Sequence, residues 1–249
     1  MDAPLAIVLA AGKGTRMKSD KPKVLCEANN RPLVEYVIDS LRDAGVERIV
    51  AVVGYKADDV KSALSHYENI EFALQEEQLG TGHAVMMCKE NLASHDGAVV
   101  VVAGDSPMLQ SSSIKELLKD YSANKPGCIL GTLIHPDPTG LGRIVRDGDG
   151  NFTGIVEDKD ATDQQKGINE VNMSTYVFDC KPMLGALDQL TDDNNQKEYY
   201  ITDIPGILLG EKRDVRALPV LQPIEALSVN TVEHLAMVEA EMQKLAGQS

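Results

Sequence analysis

Tryptophan is absent and phenylalanine nearly so: three Phe and seven Tyr leave aromatics at 4% of 249 residues. No aromatic-rich basic patch occurs, so nucleic acid is not an expected partner. Positive charge is also short. The 24 Lys and Arg stand against 38 Asp and Glu, a formal net charge of -14, which argues against a general polyanion-binding surface. Cys26, Cys88, Cys128 and Cys180 lie far apart and form no Cys-x-x-Cys pair. They read as reduced thiols of a cytoplasmic protein rather than a disulfide framework or a zinc site. The histidines show no metal-ligand spacing. No apolar run approaches the ~20 residues of a membrane span, so no membrane partner is expected. Met1-Asp2-Ala3-Pro4 lacks the basic region of a secretory signal. No feature points to an oligomeric state.

What the chain does have is a Gly-rich loop in an unusual setting. Leu5 to Leu9 is an apolar run that reads as a buried first strand. It opens into Leu9-Ala10-Ala11-Gly12-Lys13-Gly14-Thr15-Arg16-Met17, followed by Lys21-Pro22-Lys23. A strand that opens into glycines exposes backbone N–H groups to which phosphates can bind. Arg16, Lys21 and Lys23 add local positive charge to an acidic chain, the mark of a specific anion site. The loop lacks the spacing of a P-loop. Met17 stands where a dinucleotide fingerprint needs its third glycine.

Continuous β-branched runs at Arg48–Gly54 and Ala98–Gly104 suit central parallel strands covered on both faces. Between them Leu33–Leu41, Ala57–Leu64 and Gly82–Leu92 have helical character, with Pro32 as a start signal and Gly45 as a stop. The alternation predicts an α/β fold: a Rossmann-like, doubly wound, mostly parallel sheet with helices on both faces. Ligands of such sheets bind at strand carboxyl ends. The loops after Leu9 and Leu74 and the pair Gly104-Asp105 lie there. From about Gly127 the pattern is less regular. Cys128–Ile134 and Val171–Phe178 read as strands, and Gly142–Val145 with Phe152–Val156 as a hairpin around Asp147-Gly148-Asp149-Gly150. Thr231–Leu245 reads as a closing helix with Leu235, Val238, Met242 and Leu245 on its apolar face. The expected organisation is one unit: a ligand-binding first half over about 1–126, a second half over about 127–230 that extends the sheet and builds a smaller substrate lid, and a C-terminal helix over 231–249.

Further motifs follow in order: Gln75-Glu76-Glu77-Gln78-Leu79-Gly80-Thr81-Gly82, Gly104-Asp105, Gly140-Leu141-Gly142-Arg143-Ile144, Gly154-Ile155-Val156-Glu157, Glu198-Tyr199-Tyr200-Ile201-Thr202-Asp203 and Val229-Asn230. With the glycine loop, this set resembles the sugar-1-phosphate nucleotidyltransferases, most of all the uridylyltransferase half of the bifunctional bacterial enzymes that make UDP-N-acetylglucosamine. The resemblance implies transfer of a uridylyl group from UTP to N-acetylglucosamine 1-phosphate, with Mg2+ as cofactor and pyrophosphate as the second product. It implies that Leu9, Ala11 and Gly12, with Gly14 in the same loop, border the nucleotide, and that Gln75, Gly80 and Thr81 read uracil. It further implies that Asp105 and Asn230 hold magnesium, and that Gly142, Glu157, Asn172, Tyr200 and Thr202 hold the sugar.

The chemistry of the residues is compatible. Nucleotidyl transfer needs positioning and charge neutralisation more than covalent help. Arg16 and Lys23, the candidate catalytic residues, can neutralise charge on the α-phosphate and the departing pyrophosphate. Magnesium commonly takes one or two carboxylates plus phosphates and waters. Each residue also has a plainer reading. Asp105 can cap a helix starting near Ser111, and Asn230 can cap the last helix. Lys23 can be a solvated lysine, and Glu157 part of a solvated charge run. Gln75 can be a surface glutamine, Tyr200 core packing, and Thr202 or Asp203 a helix cap. His83 reads as packing or capping.

The chain departs from the family pattern at Ala103, where an aromatic residue commonly precedes Gly-Asp, and at Met173-Ser174, where Thr-Gly is usual. No hexapeptide repeat occurs before Ser249, so the resemblance implies no acetyl transfer. The alternatives left open are another acceptor or base, such as glucose 1-phosphate or dTTP, and a non-catalytic regulatory domain that binds nucleotide sugar.

Overall fold

Along Leu5–Ala10 the side chains divide by parity. Leu5, Ile7 and Leu9 pack into one core, and Ala6, Val8 and Ala10 into another. This is what an alternating strand buried on both faces must do. The computed structural model describes residues 2–17, 19–194 and 196–247; Met1 and the last two residues of the expected C-terminal segment, Gln248 and Ser249, lie outside them.

In chain order the elements are β1 (Leu5–Ala10), β2 (Glu27–Ala28), β3 (Arg31–Pro32), α1 (Leu33–Asp43), β4 (Arg48–Val53), α2 (Ala57–Ala63), β5 (Ile70–Leu74), α3 (Thr81–Met86), α4 (Lys89–Leu92), β6 (Ala98–Ala103), α5 (Ser111–Asn124), β7 (Cys128–Ile134), β8 (Arg143–Arg146), β9 (Phe152–Val156), α6 (Asp163–Lys166), β10 (Glu170–Asp179), α7 (Cys180–Leu187), α8 (Ile204–Gly210), β11 (Val215–Leu218) and α9 (Val232–Ala246). The main sheet runs β11-β7-β10-β6-β1-β4-β5. β1 pairs in parallel with β4 and β6, β4 with β5, and β11 with β7. β10 is antiparallel to both β6 and β7.

Helices cover both faces. α1, α2 and α5 supply Val37, Ile38, Val60, Ile114 and Leu117 to the core under Ala6 and Val8. α3, α7 and α8 supply Val85, Met183, Leu187, Ile204 and Leu208 to the core under Leu5 and Ile7. Each fully buried Val, Leu or Ile contributes roughly 1.5–3 kcal/mol relative to exposure. Gly45 stops α1 as expected. With φ +89 it donates its N–H to Arg42 O at 2.8 Å, and Val46 N donates to Leu41 O at 3.0 Å, the double bond of a Schellman turn. The expected hairpin forms as β8–β9, with Asp147 Oδ1 accepting from the backbone N–H groups of Asp149 and Asn151 at 2.9 Å each.

Two expectations are corrected. Gly82–Leu92 is not one helix: α3 ends at Met86, the turn tightens with Cys88 N donating to Val85 O at 3.0 Å, and α4 restarts at Lys89. Val85, Cys88 and Leu92 still enter the same core, so the apolar period runs through the break. On α9, Leu235, Val238 and Met242 pack against a small cluster around Met17, Cys26, Ala28 and Leu33, whereas Leu245 lies beyond its edge and is 43% exposed. Among the described residues no helix is long and apolar enough to cross a membrane.

Candidate functional site

β1 lies at the point where the winding of the sheet reverses. The next central strand in sequence, β4, lies on one side of it, and β6 lies on the other. The loops after β1 and β6 therefore flank a crevice at their carboxyl ends, the usual ligand position in such sheets. In the loop after β1, a Cβ on Gly12 would meet nothing within 4 Å, so bare backbone faces open space. Gly14 is different. Its φ is +65, and a Cβ there would come within 2.7 Å of Lys23 Cβ. Only glycine allows the chain to turn back so closely. Met17 N donates to Gly14 O at 2.9 Å and Lys23 N to Gly12 O at 3.3 Å, which folds the loop onto itself.

That fold brings Lys23 to Asp105, with which it forms an ion pair. Lys23 Nζ also donates to Asn230 Oδ1 at 2.7 Å, and Arg16 Nη2 donates to the same oxygen at 3.2 Å. Val229 N donates to Asp105 O at 3.0 Å, pinning the Asn230 segment to the loop after β6. Neither Asp105 nor Asn230 is a helix cap. Gln110 occupies the N-cap of α5, and Thr231 Oγ1 caps α9 by accepting from His234 N at 3.3 Å. Lys23 is not a free surface lysine, since its side chain is 15% exposed. Lys21, by contrast, turns away to pair with Glu27 at 2.7 Å.

Two hard oxygens, one carboxylate and one amide, thus converge on a single cationic point, now filled by the Lys23 ammonium. Among the described residues no group of three or more His, Cys, Asp or Glu gathers to hold a metal by itself. The donor set fits a magnesium ion whose remaining positions come from phosphate oxygens and water.

A second group lies after β5. Gln75 is 3% exposed, not a surface glutamine. Its Nε2 donates to Gly80 O at 3.1 Å and lies 3.1 Å from His83 Nδ1. His83, which the sequence leaves without chemistry, therefore fixes the Gln75 amide. Gly80 has φ +106, and a Cβ there would strike Tyr199 O at 2.5 Å. Thr81 Oγ1 accepts from Ile201 N at 3.2 Å, and Tyr199 N donates to Leu79 O at 2.8 Å. These bonds stitch the Gly80–Thr81 turn to the Tyr200 segment. Gly54, at the end of β4, also needs to be bare: a Cβ would lie 2.9 Å from both Ala11 Cβ and Gln75 O. Its signal was the glycine that closes the Arg48–Gly54 run.

The third group surrounds a cavity of about 650 Å³ lined by Glu157, Asp158, Asp160, Asn194 and Tyr200 among others. Gly142 O accepts from Asn172 N at 2.8 Å, and a Cβ on Gly142 would lie 3.6 Å from Glu157 Oε1. Gly142, Glu157 and Asn172 are therefore neighbours. Asn172 is 9% exposed and its amide is engaged: Nδ2 donates to Tyr176 OH at 2.8 Å, and Oδ1 accepts from Ser174 N at 3.3 Å. Of the predicted sugar residues, Glu157 and Tyr200 line the cavity whereas Gly142, Asn172 and Thr202 do not, and Asp203, the residue before α8, makes no side-chain cap. The Glu157 carboxyl is pushed above its ordinary value, first by desolvation in the cleft and then by the like charges of Asp160, Asp203 and Asp158. Met173 and Ser174 form a bulge in the β10–β7 pairing, with Ser174 at φ +53. The Met173 side chain packs with Leu133, Val171 and Leu221 rather than lining the cavity.

Sequence reasoning passes over Arg143. It is 2% exposed, donates through Nη2 to Asp158 Oδ1 at 2.8 Å, and also donates to Leu141 O. It thereby ties the backbone beside Gly142 to the residue beside Glu157. A charged residue inside a Gly-Leu-Gly-Arg-Ile run was its only signal.

The chain matches the model of the MobA-like NTP transferase domain over residues 6–197. It is 42% identical over 238 residues to the bifunctional protein GlmU of Limosilactobacillus reuteri, covering 96% of this chain and 52% of that protein. The corresponding protein of an Exiguobacterium species is 43% identical over 241 residues, again 96% of this chain and 52% of the relative. The chain thus spans about half the length of the curated relatives it matches. In structure it resembles a UDP-glucose pyrophosphorylase complexed with UDP-glucose, with a TM-score of 0.77 at 17% identity over 98% of this chain and 99% of the other, a likeness of fold. With its doubly wound sheet and a family match over most of its length, the chain belongs to the MobA-like NTP transferase domain family.

Proposed function

We propose that the protein is a uridylyltransferase that joins UTP and N-acetylglucosamine 1-phosphate into UDP-N-acetylglucosamine and releases pyrophosphate. The observation that carries this reading is the convergence of Arg16, Lys23, Asp105 and Asn230 at the reversal point of the sheet, from positions up to 214 residues apart. A domain that only bound nucleotide sugar would need no such oxygen pair facing two cations. The GlmU relatives support the choice of reaction.

In this reading the half over about 1–126 takes the nucleotide, with Leu9, Ala11, Gly12 and Gly14 along the phosphates. The half over about 127–230 takes the sugar, and α9 closes the structure behind Asn230. The Nε2 hydrogens of Gln75 are committed to Gly80 O and His83 Nδ1, which leaves Oε1 to accept from the imide N–H of uracil. Cytosine offers no N–H at that ring position. A phosphate oxygen of the sugar phosphate attacks the α-phosphorus of UTP. The bond from that phosphorus to the oxygen bridging it to the β-phosphorus breaks, and pyrophosphate leaves with the electron pair. The nucleophile is already ionised, so no general base is needed. Arg16 and Lys23 stabilise the charge that gathers on the α-phosphate and on the leaving group. Magnesium, held by Asp105 and Asn230, supplies further neutralisation when bound. Glu157, Tyr200 and the backbone at Gly142 receive the sugar hydroxyls.

A second reading, the same transfer to glucose 1-phosphate, is favoured by one observation: the Asn172 amide is already engaged by Tyr176 and Ser174, which reduces what it can offer an acetamido group. Pyrophosphate release from UTP, measured with each sugar phosphate and with none, tests the proposal. Release only with an acceptor, and a higher kcat/KM for N-acetylglucosamine 1-phosphate, is the expected result. Equal or reversed values select the second reading. Binding without release with any sugar phosphate or any common triphosphate rejects both.

A further inference from the structure

Asp105 and Asn230 are the side chains that the proposed reaction assigns to magnesium, yet both are already engaged. Lys23 is ion-paired with Asp105 and donates to Asn230 Oδ1, and Arg16 donates to that same oxygen. The Lys23 and Asp105 side chains are only 15% and 19% exposed, so this pairing is mostly withdrawn from water. It is also built in. Gly14, at φ +65, gives Lys23 the room to lie against the loop, and Val229 N fixes the Asn230 segment onto Asp105 O.

A divalent ion cannot join these oxygens while the ammonium lies between them. Like charges a few ångströms apart repel, most strongly where water is scarce. Moving Lys23 aside would strand a largely desolvated ammonium unless an anion receives it. A triphosphate is such an anion, and the bare backbone at Gly12 leaves space for one beside Lys23. We propose that Lys23 is the resident cation of this site in the free protein. It holds Asp105 and Asn230 in their metal-ready arrangement, excludes free divalent metal, and transfers to the phosphates when nucleotide arrives, so that metal and nucleotide enter together. This rests on the nucleotidyl-transfer reading above. On that reading one lysine serves two anionic partners in turn, and neither the oxygens nor the ammonium is left uncompensated.

Mn2+ is the probe, titrated calorimetrically into the full chain without nucleotide, alongside UTP titrations with and without Mn2+. Wild-type protein is expected to take up Mn2+ poorly alone, and Mn2+ is expected to tighten UTP binding at least tenfold or so, a coupling that must be reciprocal. Lys23→Met is expected to bind Mn2+ without UTP at least about tenfold more tightly than wild type, because a nearby like charge is gone. The gain should vanish in Lys23→Met/Asp105→Asn. Thermal unfolding reports whether each variant is folded, and the wild-type comparison with and without UTP stands whatever the variants do. The proposal is overturned if wild type alone binds Mn2+ as tightly as Lys23→Met, if the gain survives removal of the Asp105 charge, or if Mn2+ leaves UTP affinity unchanged. Pyrophosphate release by wild type separates the two ideas: turnover with no metal gain in Lys23→Met defeats only this inference, whereas no turnover with any acceptor defeats the reaction.

Discussion

At the ends of β1 and β6, two cations converge on one carboxylate and one amide; in the cavity after β9, the carboxylates of Glu157, Asp158 and Asp160 outnumber the one cation, Lys159. The first region carries one cation more than it has carboxylates, which suits a ligand that brings its own negative charge together with a metal. The second keeps carboxylates together, at a cost visible in Glu157, whose proton is held more tightly than in water. Carboxylates are acceptors, so such a pocket suits hydroxyl donors and disfavours a further acid group on the sugar ring itself. On the proposed reading, a chain of net charge -14 sets two of its cations where phosphates would bind and acids where the sugar would.

Removing the acid from the cationic region should have the largest effect. Asp105→Asn is expected to lower kcat by roughly 10³-fold, the upper range for a preorganised electrostatic group, and to cost some stability by leaving the Lys23 ammonium unpaired while the protein stays folded. Turnover near wild type at ordinary magnesium would remove Asp105 from the reaction. Arg16→Ala and Lys23→Ala should each lower kcat by on the order of 10²-fold and raise the KM for UTP less, because their work is on charge that develops in the transition state. A pure KM effect would make them docking groups.

Gln75→Ala should narrow the preference for UTP over CTP by about tenfold or more, since a buried site built to pair with a base edge penalises the wrong edge. Direct competition between the two triphosphates measures it; an unchanged ratio would mean that Gln75 only supports Gly80. In the acidic region, Arg143→Met tests whether the buried guanidinium positions the sugar. Breaking its tie to Asp158 and Leu141 should raise the KM for the sugar phosphate several-fold while leaving the KM for UTP unchanged. It should also cost about 2 kcal/mol in denaturant unfolding, less than a fully buried pair because Asp158 is partly exposed. Arg143→Lys, which keeps charge but loses the fork, should recover stability more than KM.

The two regions also differ in what could be read without coordinates. The parallel half is legible because Arg48–Val53 and Ala98–Ala103 are continuous β-branched runs, and only a doubly covered strand tolerates those. The two-residue strands β2 and β3 are too short for periodicity, and their hairpin shows only in Asn29-Asn30, both with positive φ. The strand character of Val171–Phe178 is legible, but its antiparallel direction is not, because direction is set by the path of the chain before it. At the site, Gly14 announces a turn, yet nothing in spacing says that Lys23 will meet Asn230, 207 residues away. Arg143 is hidden for the opposite reason: a charged residue in a strand reads as solvent-facing, and its burial depends on Asp158 folding back over it.

The smallest effect is the one that distinguishes the two regions most sharply. Glu157 is reached by solvent, but its carboxyl is raised by desolvation and by Asp160, Asp203 and Asp158. A carboxyl raised in the folded state binds its proton at pH values where the unfolded chain has released it, so the slope of stability with pH is negative through that interval. Its contribution is complete below the ordinary glutamate value and is lost as pH rises through the raised one. Above that raised value the ionised group thus works against the fold. Glu157→Gln, uncharged at every pH, should unfold ~1–2 °C above wild type at a pH well above the raised value, and the gain should fade at a pH below the ordinary glutamate value. The same variant should raise the KM for the sugar phosphate, because half of its acceptor capacity becomes a donor. A fold that improves while sugar binding worsens is the signature of a group retained for its ligand. If Glu157→Gln instead lowers the unfolding temperature equally at both pH values, Glu157 is a structural acceptor, and the acidic region has no claim on the sugar.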